Sequence, residues 1–200
     1  MRASLRPQKN TNAGVPCSAR GFTLVELMIT LTVATILLVI AVPSFSYIIN
    51  SNRLTTTANA LIGSLNTARM AAIQRNAAVQ FCSNSATSNT SSTLGSACGT
   101  NAGAVLALTS PTATTFTQVL APPPGLSISS IQIHGTVAAL QFNGLGQGLL
   151  PGTSTPFDST AQGSPVVDVC STAFSTNNHI QVNMAAGSII TTTTSTGACP

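Results

Sequence analysis

The sequence predicts an α+β chain, in which a long N-terminal helix is packed on an antiparallel β-sheet head. Three observations carry that prediction. Residues 22–49 are apolar almost throughout, interrupted by scattered hydroxyls, Glu26 and Pro43. From Asn50 the pattern turns amphipathic, with Leu54, Ala58, Leu61, Ile62, Leu65, Ala68, Ala72 and Ile73 at three- and four-residue spacing. Beyond residue 77, short runs rich in β-branched and aromatic residues alternate with Gly, Pro, Asn and Ser.

Residues 1–21 stand apart. They hold Arg2, Arg6, Lys9 and Arg20, four of the seven basic residues in a chain of 200, and no apolar run. From residue 22 onward Arg53, Arg69 and Arg75 are balanced by Glu26, Asp158 and Asp168, so the net charge of +4 belongs to the first segment. Only 5% of residues are charged, which excludes disorder driven by charge. A basic balance confined to what reads as a processing segment also gives no support to nucleic-acid binding by the rest of the chain.

The apolar segment comes next. At about 1.5 Å per residue, positions 27–42 alone span roughly 24 Å as a helix, close to the bilayer core. Basic residues precede it and almost none follow, which places the N-terminus in the cytoplasm and the head outside. A secretory signal peptide fits less well, because Ala41-Val42-Pro43 is a poor cleavage site. Glu26 argues against a plain anchor, since a carboxylate inside an apolar segment is costly and usually functional.

Gly21-Phe22-Thr23-Leu24-Val25-Glu26-Leu27-Met28 resembles the signature of type IV prepilins and type II secretion pseudopilins. The resemblance implies a pilin-like fold, cleavage by prepilin peptidase between Gly21 and Phe22, and N-methylation of Phe22. It makes residues 1–21 a leader that is removed, Glu26 the fifth mature residue, and Pro43 a helix kink or a locally melted stretch. Glu26 would then pair with the α-amino group of a neighbouring subunit. A buried anion is tolerable when paired and costly when alone. Pro43 fits its part because proline lacks an N–H and clashes with the preceding turn. The divisions that follow are 1–21 leader, 22–49 transmembrane and assembly helix, 50–77 amphipathic helix and 78–200 head.

The helix is expected to run from about residue 22 to 76. Its second half, through Asn52-Arg53-Leu54, Leu65-Asn66-Thr67-Ala68-Arg69 and Ala72-Ile73-Gln74-Arg75 into Val79-Gln80-Phe81-Cys82, resembles the GspH/FimT branch of the family. In the head, strands are expected at 78–82, 104–108, 115–120, 126–134, 137–142, 166–170 and 179–184, with a last one near 188–194. The alternation slips at Ser129-Ser130, which suits a bulge. The arrangement is a helix laid against one or two antiparallel sheets.

Cys17 falls in the leader, leaving Cys82, Cys98, Cys170 and Cys199. An even number in an exported head favours disulfides. Three connectivities are open; pairing Cys82 with Cys98 and Cys170 with Cys199 is preferred because each closes a local loop. A loop of about 16 residues is worth roughly 3 kcal/mol in the chain-entropy picture. A zinc site is the rival, but there is no CxxC pair and the histidines are scattered, so no metal or cofactor is expected.

Other chemistry has little material. Gly144-Leu145-Gly146-Gln147-Gly148 lacks a Lys and a following helical pattern, so it reads as a turn rather than a phosphate loop. His134 and His179 read as polar residues at a sheet edge. Asp158 and Asp168 are the head's only acids, and no nucleophile-elbow motif surrounds a serine, so no enzyme is expected.

The resemblance implies a structural protein: a minor type IV pilin of the GspH/FimT type, in pilus assembly or at the tip. The alternative is a GspH-like pseudopilin of a type II secretion system. Implied partners are prepilin peptidase, other pilins or pseudopilins through the N-terminal helix, and the bacterial inner membrane before assembly. Some FimT-type minor pilins bind DNA through a Gly-Arg-x-Arg motif near the C-terminus. The counterpart here, Gly187-Ser188-Ile189-Ile190, has no arginine, so DNA binding ranks last.

Overall fold

A computed structural model describes residues 21–90, 92–123 and 133–199, without the side chains of residues 42–44. The chain forms two compact units, residues 1–42 and 43–200. Helix α1 (Leu24–Arg75) contributes to both.

In the first unit no described residue is buried. Its helix starts from Thr23, whose hydroxyl accepts from the Glu26 N–H at 3.2 Å, a side-chain cap on one of the amides a helix start leaves unpaired. Thr30, Thr32 and Thr35 each donate their hydroxyl to the carbonyl three residues back, at 2.8–2.9 Å. These three hydroxyls are therefore satisfied within the helix and add little polar cost to an apolar surrounding.

The second unit is built on the amphipathic part of α1. Of the expected stripe, Leu54, Ala58, Leu61, Leu65, Ala68 and Ala72 are each 2% exposed or less, Ile62 is partly buried against the core, and Ile73 is instead 52% exposed. The helix closes at Asn76, in the left-handed region with φ +46°, where Ala77 N–H reaches back to the Ala72 carbonyl at 3.2 Å.

Among the described residues nine strands follow, in two antiparallel sheets. The first has the order β3 (Phe116–Leu120), β2 (Val105–Leu108), β1 (Val79–Phe81), β5 (Leu140–Phe142), β6 (Gly148–Leu149). The second runs β4 (Ile133–Val137), β7 (Val167–Ser171), β8 (His179–Ala185), β9 (Ile189–Ser195). One core joins them to the helix: Phe81, Val105, Leu140 and Phe142 from the first sheet, and Val167, Val169, Val182 and Met184 from the second.

Two differences from the sequence reading stand out. The single strand expected at 137–142 is two strands in different sheets, because the chain crosses between sheets at Ala138 and Ala139. Ala138 N–H bonds the Val166 carbonyl at 2.7 Å, closing the second sheet before Leu140 enters the first. The pattern reads as continuous since Val137-Ala138-Ala139-Leu140 contains no Gly or Pro. The short helices α2 (Ala86–Asn89), α3 (Thr93–Ser96) and α4 (Ser159–Gln162), and β6, were not expected at all. Of the strand expected at 126–134, only Ile133 and His134 are described, and the bulge at Ser129-Ser130 lies outside the described residues.

Candidate assembly and head sites

The N-terminal candidates occupy the start of the first unit. Gly21 lies ahead of the helix, and a Cβ built on it would meet nothing within 4 Å. A side chain there would meet nothing in the described fold. Phe22 is 83% exposed, and Glu26 sits in the first helical turn, also exposed. A carboxylate in a first turn faces the positive end of the helix dipole. Glu26 lies four residues beyond Phe22, whose amine would be set free by cleavage after Gly21. Every large apolar side chain from Leu24 to Ile40 is at least half exposed, and α1 is long and apolar enough to cross a membrane. Pro43, expected to kink the helix, has its side chain outside the described residues.

In the head, Cys82 is bonded to Cys98 and Cys170 to Cys199, with Cα separations of 5.5 and 5.7 Å. The first bond joins the end of β1 to the segment after α3, within a small cluster of Leu94, Ala104 and Leu106. Asn89, buried among them, organises that loop. Its Oδ1 accepts from Ser83 N–H at 2.9 Å, and its Nδ2 donates to the carbonyls of Ser83 at 3.0 Å and Gly99 at 2.9 Å. The second bond fastens the tail that follows β9. Asn178 holds the same tail through both ends of its amide, donating to the Gly197 carbonyl at 2.9 Å and accepting from Gly197 N–H at 3.0 Å.

His179 corrects an expectation. It lies on β8, an inner strand, and is 7% exposed rather than placed at a sheet edge. Its Nδ1 is 2.9 Å from Asp168 Oδ1, and Asp168 Oδ2 accepts from Gln181 Nε2 at 3.1 Å. The register explains the meeting: Asp168 pairs with Gln181 and Cys170 with His179, so Asp168 and His179 are diagonal neighbours. The sequence separation of eleven gives no hint of this. Gly197 packs over the ring, where a Cβ would come within 3.2 Å of Nε2. The nearby Cys170 and Cys199 are joined in a disulfide, so neither offers a free thiol to this pair. His134 lies on the edge strand β4 and is half-buried.

Asp158 caps α4. Its Oδ1 accepts from Thr160 N–H at 2.9 Å and Ala161 N–H at 3.2 Å, and its Oδ2 from Ala186 N–H at 3.1 Å. These bonds, that of Ala186 first, hold its carboxyl below the usual aspartate range. The cap could have been found in the sequence, since Asp158-Ser159-Thr160 is a helix-start pattern. Arg69 donates to the Ser188 carbonyl at 2.7 Å and stacks over Phe142, tying α1 to the β8–β9 turn. Gly146 beside it has φ +76°, and a Cβ there would press on Ile73 and Arg69. The segment 144–148 turns from β5 into β6.

Among the described residues no group of three His, Cys, Asp or Glu could hold a metal ion. A shallow groove of about 260 Å³ beside Leu94, Leu108, Phe116 and Gln141 is lined by no titratable side chain. The features left to carry function are the exposed apolar helix with its N-terminal signature, and the surface of a disulfide-braced head.

Two family models match the chain. One, described as type II transport protein GspH, covers residues 57–185, and the other, described as prokaryotic N-terminal methylation motif, covers residues 17–42. No curated protein and no solved structure matches.

Proposed function

The chain belongs to the GspH family, and from that premise we propose that it is a minor type IV pilin, processed between Gly21 and Phe22 and entering the pilus through α1. Membership of this family, together with the N-terminal methylation motif, makes it a pilin or pseudopilin, a class of structural subunits rather than known enzymes. The observation that carries the reading is the first unit: an apolar helix with no described residue buried, headed by the cleavage signature and Glu26. So much exposed apolar surface needs lipid first and neighbouring helices later. The head, with its own core and two disulfides, fits an exported location.

In this reading prepilin peptidase removes residues 1–21 at the cytoplasmic face of the inner membrane, and Phe22 is methylated. The freed amine of one subunit pairs with Glu26 of another, so that a correctly seated subunit neutralises a carboxylate otherwise stranded in apolar surroundings. Pro43, within the continuous helix α1, lacks the N–H of a helix interior and is the point where the helix bends most readily. Beyond Arg75 the head has no Lys or Arg, which argues against nucleic acid as a partner of this chain alone. That the family is one of type II transport proteins favours a second reading, a pseudopilin of a type II secretion system.

The deciding experiment is pilus yield in the sheared surface fraction of a strain lacking this gene, beside a complemented strain. A collapse restored by complementation supports the pilus reading. Normal pili with a loss of secreted enzymes from the medium would replace it with the pseudopilin reading. On the same strains, Gly21→Ala should leave only the uncleaved form. Glu26→Ala should reach the membrane at normal level but be lost from filaments.

A further inference from the structure

The register of the second sheet brings together groups that the sequence scatters. His134 on β4 stands directly opposite Cys170 on β7, and Cys170 stands directly opposite His179 on β8. Directly opposed side chains share a face, so the three form a row across the sheet with the cysteine in the middle. Val167 and Val169 turn to the core from β7, which puts the row on the other side of the sheet. Two strand spacings, about 9.5 Å, separate the histidines.

The tail after β9 lies along the same row. Ser195 is opposite His179, Gly197 packs over the His179 ring, and Cys199 is bonded to Cys170. His179 itself is prepared for a further partner. Its Nδ1 meets Asp168 Oδ1 at 2.9 Å, and a carboxylate only accepts. In the neutral ring Nδ1 therefore carries the proton and Nε2 presents a lone pair. That Nε2 is buried with no hydrogen-bond partner, which is costly for a polar atom. A carboxylate that orients an imidazole and leaves its other nitrogen bare is the usual outer support of a metal-ligating histidine.

We infer that, before the tail disulfide closes, Cys170, Cys199, His179 and His134 hold a zinc ion. Two thiolates with two imidazoles are a tetrahedral zinc set, and the thiolates cancel the charge of the ion. Every chain passes through this dithiol form, because cysteines are made as thiols and close only on meeting an oxidant. In the closed form the sulfurs are bonded to each other, and no group of three donors is left for an ion among the described residues. The ion keeps Cys170 and Cys199 beside each other, and apart from Cys82 and Cys98, while the head folds. A disulfide oxidant then takes two electrons from the two thiolates. The Cys170–Cys199 bond forms, the oxidant's own S–S bond breaks to two thiols on taking up two protons, and the ion leaves. The site concerns the head alone, whichever machine the protein serves.

The test uses the full chain in detergent micelles, with Cys17→Ser to remove the leader thiol. A phosphine reductant opens the disulfides, and equimolar zinc or a chelator is added. Alkylation is then followed at each cysteine by peptide mass mapping. Zinc should slow Cys170 and Cys199 roughly tenfold or more, and leave Cys82 and Cys98 at their chelator rates. His179→Asn should lose that protection. His134→Ala should lose it as well, and His134→Cys should regain it, since a thiolate can replace an imidazole on zinc. A histidine that served only the fold would not be rescued in this way. Folding of each variant is checked in the closed form, where both disulfides should pair as in the parent. Equal protection of all four cysteines, meaning adventitious thiol binding only, overturns the inference. So does a lack of protection, or protection that survives in both His179→Asn and His134→Ala.

Discussion

The two parts of α1 use similar residues to opposite ends. Up to position 41 leucines, isoleucines and valines point in every direction and none is buried. From position 54 the leucines and alanines fall on one stripe, and Leu61, Leu65, Ala68 and Ala72 are fully enclosed. The difference lies in arrangement: an all-round apolar helix can satisfy its surface only in lipid or among other helices, whereas a striped one is satisfied by its own chain. The first part is thus available for association and the second fixes the head.

The sharpest way to break that comparison is a matched pair of truncations. Leu61→Ala should cost the head about 2–5 kcal/mol, as for a fully buried leucine. Leu31→Ala, at a position 58% exposed, should move the same unfolding curve by less than about 0.5 kcal/mol. Both would be read by denaturant titration of the full chain in detergent micelles. A comparable loss from Leu31→Ala would mean that the first part also supports the head.

The next effect concerns the disulfides, which brace only the second unit. Their sequence separations are 16 and 29 residues, so removing either pair by double serine substitution should cost roughly 3–4 kcal/mol. Loss of the Cys170–Cys199 bond should also free the tail, seen as rapid amide exchange at Thr196 and Gly197, while amides around Asn89 stay protected. A smaller loss, about 1–3 kcal/mol, is expected for His179→Ala, which leaves Asp168 with one fewer partner under the same tail. Its signature would be faster reduction of Cys170–Cys199 with Cys82–Cys98 unaffected.

Legibility in the sequence follows the same division. Uniform apolarity and a stripe are both one-dimensional patterns, so the helix appears at 24–75 against an expectation of 22–76. Most strands are also visible, because β-branched residues bounded by Gly, Pro and Asn mark them locally. What could not be read depends on register. The change of sheet after Val137, the Asp168–His179 contact, and the use of Asn84 as a cap on β4 all require knowing which strand lies beside which. The N-terminal signature of the candidate site is legible because its residues are consecutive.

The smallest effect is electrostatic, and it tests whether the stability of the head depends on the charge of its α4 cap. Asp158 is held below the ordinary aspartate value of 3.8 by three amides from α4 and the β8–β9 turn. Above the ordinary value the carboxyl is ionised folded or unfolded, and its contribution to stability is complete. As the pH falls through the lower folded value, the folded state must take up the proton and that contribution is lost. The wild-type head should therefore become easier to unfold below about pH 4. Asp158→Asn should be slightly less stable at neutral pH, since an amide is a poorer acceptor for three N–H groups, and should show a shallower fall in acid. The measurement is the urea midpoint between pH 7 and 3 for both proteins. Parallel curves would mean that the acid response arises elsewhere and that the cap on α4 does not depend on charge.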